Sequence, residues 1–144
     1  MKRKALTITL AAVMAMGTCA VTASAADGDK YTIGICQLVQ HEALDAATQG
    51  FKDEIVKELG EDAVTFDEQN AQGDSNTCST IINSFVSNNE DLILANATAS
   101  LQAAAAGTSD IPILGTAVTE YGVALDLKDF DGTVGGNISG TSDL

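Results

Sequence analysis

Tyr31-Thr32-Ile33-Gly34-Ile35-Cys36-Gln37-Leu38 is a short apolar run rich in β-branched residues, and a helical pattern follows it at once. From about Glu42 to Leu59 the apolar residues Leu44, Ala47, Phe51, Ile55 and Leu59 recur at three- or four-residue steps, which predicts an amphipathic helix closed by Gly60. The alternation then repeats. Val64 and Phe66 mark a second strand, ended by the turn-forming Asn70-Ala71-Gln72-Gly73-Asp74. Asp74 or Ser75 can cap a helix whose apolar face is Cys78, Ile81, Ile82, Phe85 and Val86, and Asn88-Asn89 ends it. Leu92-Ile93-Leu94-Ala95 is continuously apolar, as a strand covered on both faces should be, and an Ala-rich helix runs from the next turn to Gly107. Ile111-Pro112-Ile113-Leu114-Gly115 reads as a fourth strand, with its proline at the start, where a missing amide donor costs least. Short strands alternating with helices specify the α/β class: a Rossmann-like parallel sheet with flanking helices. Beyond Thr116 the pattern loosens, Tyr121 to Gly136 reads as loop with a short turn, and no closing helix or strand is expected before Leu144.

Parallel α/β sheets bind ligands outside the carboxyl ends of their strands, where helix N-termini with unpaired amides gather. That rule selects four loops: Gln37 to His41, Asn70 to Asp74, Asn96 to Ser100, and Thr116 to Tyr121. Thr98 and Ser100 are expected just ahead of a helix, where hydroxyls and amides together can hold a carboxylate. Ordinary capping and turn chemistry accounts equally well for any one of these residues. No catalytic constellation stands beside them. There is no GxSxG, no P-loop, and a single histidine, His41, without a Cys/His ligand spacing, so neither a nucleophile nor a metal or other cofactor is expected. Asp53, Glu54 and Glu58 fall on the exposed helix face, and Gly132 to Gly140 matches no dinucleotide fingerprint.

The N-terminus has its own logic. Met1-Lys2-Arg3-Lys4 is a positive start, Ala5 to Met16 is an apolar stretch too short for a membrane span, and Ala23-Ser24-Ala25 is a small-x-small site. Residues 1–25 therefore read as a signal peptide cleaved between Ala25 and Ala26, with Cys19 as the alternative lipid-attachment residue despite a poor lipobox in Met16-Gly17-Thr18. Lys2, Arg3 and Lys4 are three of the seven basic residues, so the remainder carries four basic against 20 acidic residues, a formal charge of −16. Such a field repels phosphate and excludes nucleic acid and anionic membrane surfaces as partners. Residues 26–144 suffice for one core. Export permits a disulfide between Cys36 and Cys78, but both sit at positions patterned for burial, and two free thiols are the expectation.

Several strings then become recognisable in order: Ile33 to Asp45, Gly50-Phe51-Lys52, Asn70 to Asp74, Ala97 to Ala103, Gly115 to Thr119, and Gly135 to Asp143. From about Tyr31 onward the chain resembles the ABC transporter substrate-binding family whose characterised members bind tryptophan and related aromatic amino acids. The resemblance implies the first lobe of a type I periplasmic-binding-protein fold, in which two Rossmann-like lobes close over the ligand and present it to a membrane permease. It also implies that this chain, at about half the family's length, is an incomplete, N-terminal-lobe fragment. The family's ligand loops map onto Gln37, Leu38 and His41; Thr98 and Ser100; Thr116 and Thr119; and Ser142 and Asp143. Glu42 and Ala99 stand where the family commonly has proline, removing two fixed backbone angles. The resemblance implies a non-enzymatic receptor. An extracellular sensor domain on the same fold is the alternative, and a secreted hydrolase is disfavoured by the missing nucleophile elbow.

Overall fold

The computed structural model describes residues 30–143. The expected signal segment, its expected cleavage point between Ala25 and Ala26, and Cys19 lie outside the described residues. Strand β1 (Tyr31–Gln37) leads into helix α1 (Glu42–Leu59), and β2 (Val64–Asn70) into α2 (Ser75–Asn88). β3 (Leu92–Asn96), α3 (Thr98–Gly107), β4 (Ile113–Val118), the single turn α4 (Tyr121–Ala124) and β5 (Ile138–Ser142) follow. The five strands form one parallel sheet in the order β2-β1-β3-β4-β5.

Strand parity decides which side chains meet which helix. On one face Ile33, Ile35 and Leu94 pack with Phe51 and Ile55 of α1. On the other, Cys36, Ile93 and Ala95 pack with Cys78, Ile82 and Phe85 of α2 and with Leu101 and Ala104 of α3. β1 and β3 lie between the two layers, which is why Ile33–Cys36 and Leu92–Ala95 carry no polar side chain beyond the cysteine thiol. α2 reaches β1 closely because residue 34 is glycine: a Cβ there would lie 2.6 Å from Cδ2 of Phe85. The helix ends follow their sequence signals. His41 Nδ1 accepts from the Ala43 amide (3.2 Å), Asp74 Oδ1 accepts from the Asn76 amide (3.0 Å), and Gly60 and Asn89 close α1 and α2 at φ 93° and 56°.

Two boundaries differ from the sequence expectation. β4 starts at Ile113, since Pro112 can contribute only its carbonyl, which accepts from the Ile93 amide at 2.9 Å, and it runs on to Val118. The chain also gains β5, where no strand was expected. Ile-Ser-Gly-Thr-Ser has no alternation to read, because β5 is an edge strand with one half-buried residue, Ile138. It pairs tightly with β4 because Gly115 and Gly140 leave room for the Tyr121 ring, whose hydroxyl donates to the Thr141 carbonyl (3.2 Å).

Candidate functional site

The carboxyl ends of the strands line up in one row. Asn70 is in register with Gln37, Gln37 with Asn96, and Asn96 with Thr116. The loops beyond are fixed by backbone bonds that prolong the ladder: Leu38 N–H to Asn96 O (3.2 Å), Ala97 N–H to Thr116 O (2.9 Å) and Gly73 N–H to Leu38 O (2.7 Å). Between β1 and β3 the strand order reverses, and the following helices leave toward opposite faces, so a crevice opens between the Leu38–His41 and Ala97–Ser100 loops.

At that crevice α3 differs from the other helices. Its N-cap is Ala97, which has no side chain to offer, and its first intrahelical bond is Leu101 N–H to Ala97 O (3.0 Å). The amides of Thr98, Ala99 and Ser100 therefore have no helical acceptor and point out of the helix start with the positive end of its dipole. Ala97 is held at φ 89°, ψ 161°, a region that suits glycine.

The predicted ligand residues divide into two groups. Leu38 and Thr116 are half-buried, and His41, Thr98, Thr119, Ser142 and Asp143 are exposed along the same carboxyl edge. Asp143 is drawn to the end of β4 by its amide, which donates to Val118 O (3.2 Å). Burial, reinforced by the Asp143 carboxylate, pushes the Tyr121 phenol above its ordinary value. Gln37 and Ser100 instead turn inward. The two Gln37 amide protons go to Asp45 Oδ1 (2.6 Å) and Val39 O (3.0 Å), and its Oε1 accepts from the Thr48 hydroxyl (2.7 Å). Ser100 is the third residue of α3 rather than a residue ahead of it, and its fully buried hydroxyl lies 3.6 Å from Cys36 Sγ and 3.7 Å from Cys78 Sγ. Both thiols are free, and burial pushes Cys36 up to about 12.

Sequence reasoning missed Thr48 and placed Asn96 in a ligand loop, whereas both are buried beside Gln37. A polar residue closing the apolar run Leu92–Ala95 was the available signal. The strand-end residues form an open face rather than an enclosed cavity. A concavity of about 360 Å³ beside β5 is lined by Tyr121, Phe130, Val134 and Ile138 and shares Ser142 with this row. Among the described residues no group of three or more His, Cys, Asp or Glu could hold a metal ion, and no helix is long and apolar enough to cross a membrane.

Residues 32–144 match the family model for the ABC transporter substrate binding protein. A tyrosine-binding protein of Clostridioides difficile (strain R20291) is 46% identical over 117 residues, covering 77% of this chain and 32% of that protein. A substrate binding protein with adhesive properties from Clostridium difficile, solved ligand-free and open, aligns with TM-score 0.71 and 46% identity over 78% of this chain and 39% of that one. An ABC domain from Streptococcus pneumoniae in complex with L-Trp aligns with TM-score 0.72 and 32% identity over 79% of this chain and 39% of the other. The chain thus spans about a third of the curated relative's length and about two fifths of these solved chains. The sheet and its helices also match part of more distant periplasmic binding proteins, a likeness of fold alone. The family is a substrate-binding and non-enzymatic one, as the missing catalytic constellation led us to expect. The family match runs across the described sheet and its strand-end loops, and the chain belongs to the ABC transporter substrate-binding protein family.

Proposed function

We propose that residues 26–144 form the N-terminal lobe of the extracytoplasmic solute-binding component of an ABC importer, and that its ligand is an aromatic amino acid such as tryptophan or tyrosine. The supporting observation is the uncapped start of α3 beside the β1/β3 crevice, flanked by exposed Thr98 and, along the same edge, by Asp143. An amino acid carries one group for each. Its carboxylate suits the α3 amides and the Thr98 hydroxyl, and its ammonium suits an acidic partner such as Asp143. His41 uses Nδ1 to cap α1, so a neutral ring keeps its proton on Nε2, facing outward as a donor. A face this open covers one side of a small ligand, whereas a binding site buries most of its ligand's surface. A second lobe closing over it supplies the other wall, and closure reports occupancy to a permease. Residues 1–25 act as the export signal, with Cys19 the residue to lipidate if the protein is tethered.

The names of the relatives, one a tyrosine-binding protein and one solved with L-Trp, support the ligand class. Isothermal titration of the full-length protein carrying this chain against tryptophan, tyrosine, phenylalanine and the branched-chain amino acids tests it. Saturable heat is expected from the aromatic set. Heat from none of the aromatic amino acids would remove the assignment.

A further inference from the structure

Beneath the crevice lies a buried polar cluster that takes in Gln37, expected to meet the ligand, together with Thr48 and Asn96. Asn96 donates through Nδ2 to the Leu44 carbonyl (2.9 Å) and the Thr48 hydroxyl oxygen (2.9 Å), with Gln37 Oε1 at 3.5 Å. Thr48 in turn donates to Gln37 Oε1, and Gln37 donates to the Val39 carbonyl and to Asp45 Oδ1. Gln37, Thr48 and Asn96 are 4%, 3% and 0% exposed. Three separate segments are joined in this way: the end of β1 with its loop, the first two turns of α1, and the end of β3.

Two features set this cluster apart from ordinary core packing. Asn96 Oδ1 is buried without a donor among the described residues, a cost that an apolar side chain of similar size would avoid. Gln37 has both amide protons committed internally, leaving none to offer a ligand. What the cluster holds is the Leu38–His41 loop: Val39 is bonded from beneath, and the helix that His41 caps is bonded through Leu44, Asp45 and Thr48. The binding reading above uses His41, the family resemblance adds Leu38 from the same loop, and the inference rests on that reading. We propose that Gln37, Thr48 and Asn96 are positioning residues, which keep the Leu38–His41 loop and the start of α1 in the binding arrangement before ligand arrives. Preorganisation of this kind raises affinity by lowering the ordering cost of binding.

The test uses the full-length protein and two substitutions. Thr48→Val keeps the side-chain shape and removes both hydrogen bonds of the hydroxyl; Gln37→Met keeps length, removes the amide and leaves the Thr48–Asn96 bond in place. Each is expected to speed amide hydrogen exchange over residues 38–45 in the ligand-free protein and to weaken tryptophan or tyrosine binding by roughly tenfold. Thr48→Ser, which retains the hydroxyl, is expected to restore both. Ile81→Val, in the opposite core layer, serves as a control that lowers the melting temperature and leaves exchange over 38–45 and affinity unchanged. Weaker binding in Gln37→Met with unchanged binding in Thr48→Val would make Gln37 a ligand contact and overturn the proposal. Wild-type affinity in both variants, failure of serine to rescue, or an equal loss in the control would overturn it as well. A wild-type protein that binds no amino acid sinks the binding reading instead, and unchanged exchange in both variants then sinks the positioning role separately. If Thr48→Val folds poorly, Gln37→Met alone decides through exchange and affinity together.

Discussion

Gly34→Ala adds a single methyl group at the centre of the sheet, and the structure gives its cost. The new Cβ would stand 2.6, 2.7 and 2.9 Å from Cδ2, Cγ and Cε2 of Phe85. Ordinary carbon contacts lie at about 3.5–4.0 Å, so a gap of about 1 Å must open. Phe85 is fully buried among Ile81, Ile82 and Cys78 and cannot swing toward solvent. Overpacking of this kind costs about 1–3 kcal/mol. Replacing a strand glycine recovers roughly 0.5–1 kcal/mol of backbone entropy, which leaves a net loss of about 1–2 kcal/mol. For a domain near this size that lowers the melting temperature by about 4–8 °C, readable by circular dichroism or calorimetry. A double-mutant cycle isolates the cause. Phe85→Leu opens space, so Gly34→Ala should cost about 1 kcal/mol less in that background than in the wild type. Additive effects, or a Gly34→Ala protein as stable as wild type, would refute the close packing of α2 on β1.

Three further outcomes follow from particular residues. Ala97→Gly relieves a φ of 89° at the start of α3; the strain of about 1–3 kcal/mol outweighs the unfolded-state entropy of glycine, and a rise in melting temperature is expected. A fall would show that Ala97 is unstrained. Burial holds the Glu90 carboxyl above its ordinary value, with the nearby Asp67 and Asp91 carboxylates adding to the shift. Its contribution to stability is therefore full below the ordinary glutamate value and lost as pH rises through the raised folded value, so Glu90→Gln should stabilise the protein at neutral pH and flatten that limb of the pH profile. An unchanged profile counts against this. Cys36 and Cys78 are fully buried, so both should resist an aromatic disulfide reagent in the native protein and react on unfolding. Fast native reaction of either thiol would contradict the packing around Ser100.

The parts of the fold legible in the sequence are those where local chemistry and burial agree. α1 and α2 carry apolar stripes between recognisable caps, and Leu92–Ala95 is apolar because it lies between two helical layers. β5 was illegible for the opposite reason: an exposed edge strand needs no apolar residues, so Ser139, Gly140 and Thr141 resemble loop. The candidate site was legible as a set of loops and less so as side-chain directions. Gln37 shares the parity of Ile33 and Ile35, which face α1, and that parity could have turned it inward. Ser100 offered no such signal. Half of the ten α3 residues are alanine, and no continuous apolar stripe in the sequence says which side of the helix meets the sheet.

The aromatic residues set a limit on what this face can discriminate. The chain has four Phe and two Tyr. Phe51 and Phe66 pack around α1, Phe85 is sealed beneath α2, Tyr31 begins β1 at the far end of the sheet, and Tyr121 is buried below β5 with Phe130 beside it. None of them lies in the Leu38–His41, Ala71–Asp74 or Ala97–Ser100 loops, and Tyr121, which closes the fourth, is buried with its hydroxyl committed to the Thr141 carbonyl. These loops offer hydroxyls, amides and an imidazole, which suit the carboxylate and ammonium common to every amino acid, while a ligand's ring finds no aromatic partner among them. Thr98→Ala should therefore weaken tryptophan, tyrosine and phenylalanine alike. Loss of one hydrogen bond to a carboxylate is worth about 2 kcal/mol, or roughly 30-fold in Kd. Because the lost contact belongs to the shared part of the ligand, the ratios among the three affinities should stay within about threefold of wild type. Parallel titrations of the full-length protein measure both quantities. A ratio that moves by about tenfold while overall affinity holds would mean that Thr98 reads the ring, and that these strand ends select the side chain as well as hold the backbone groups.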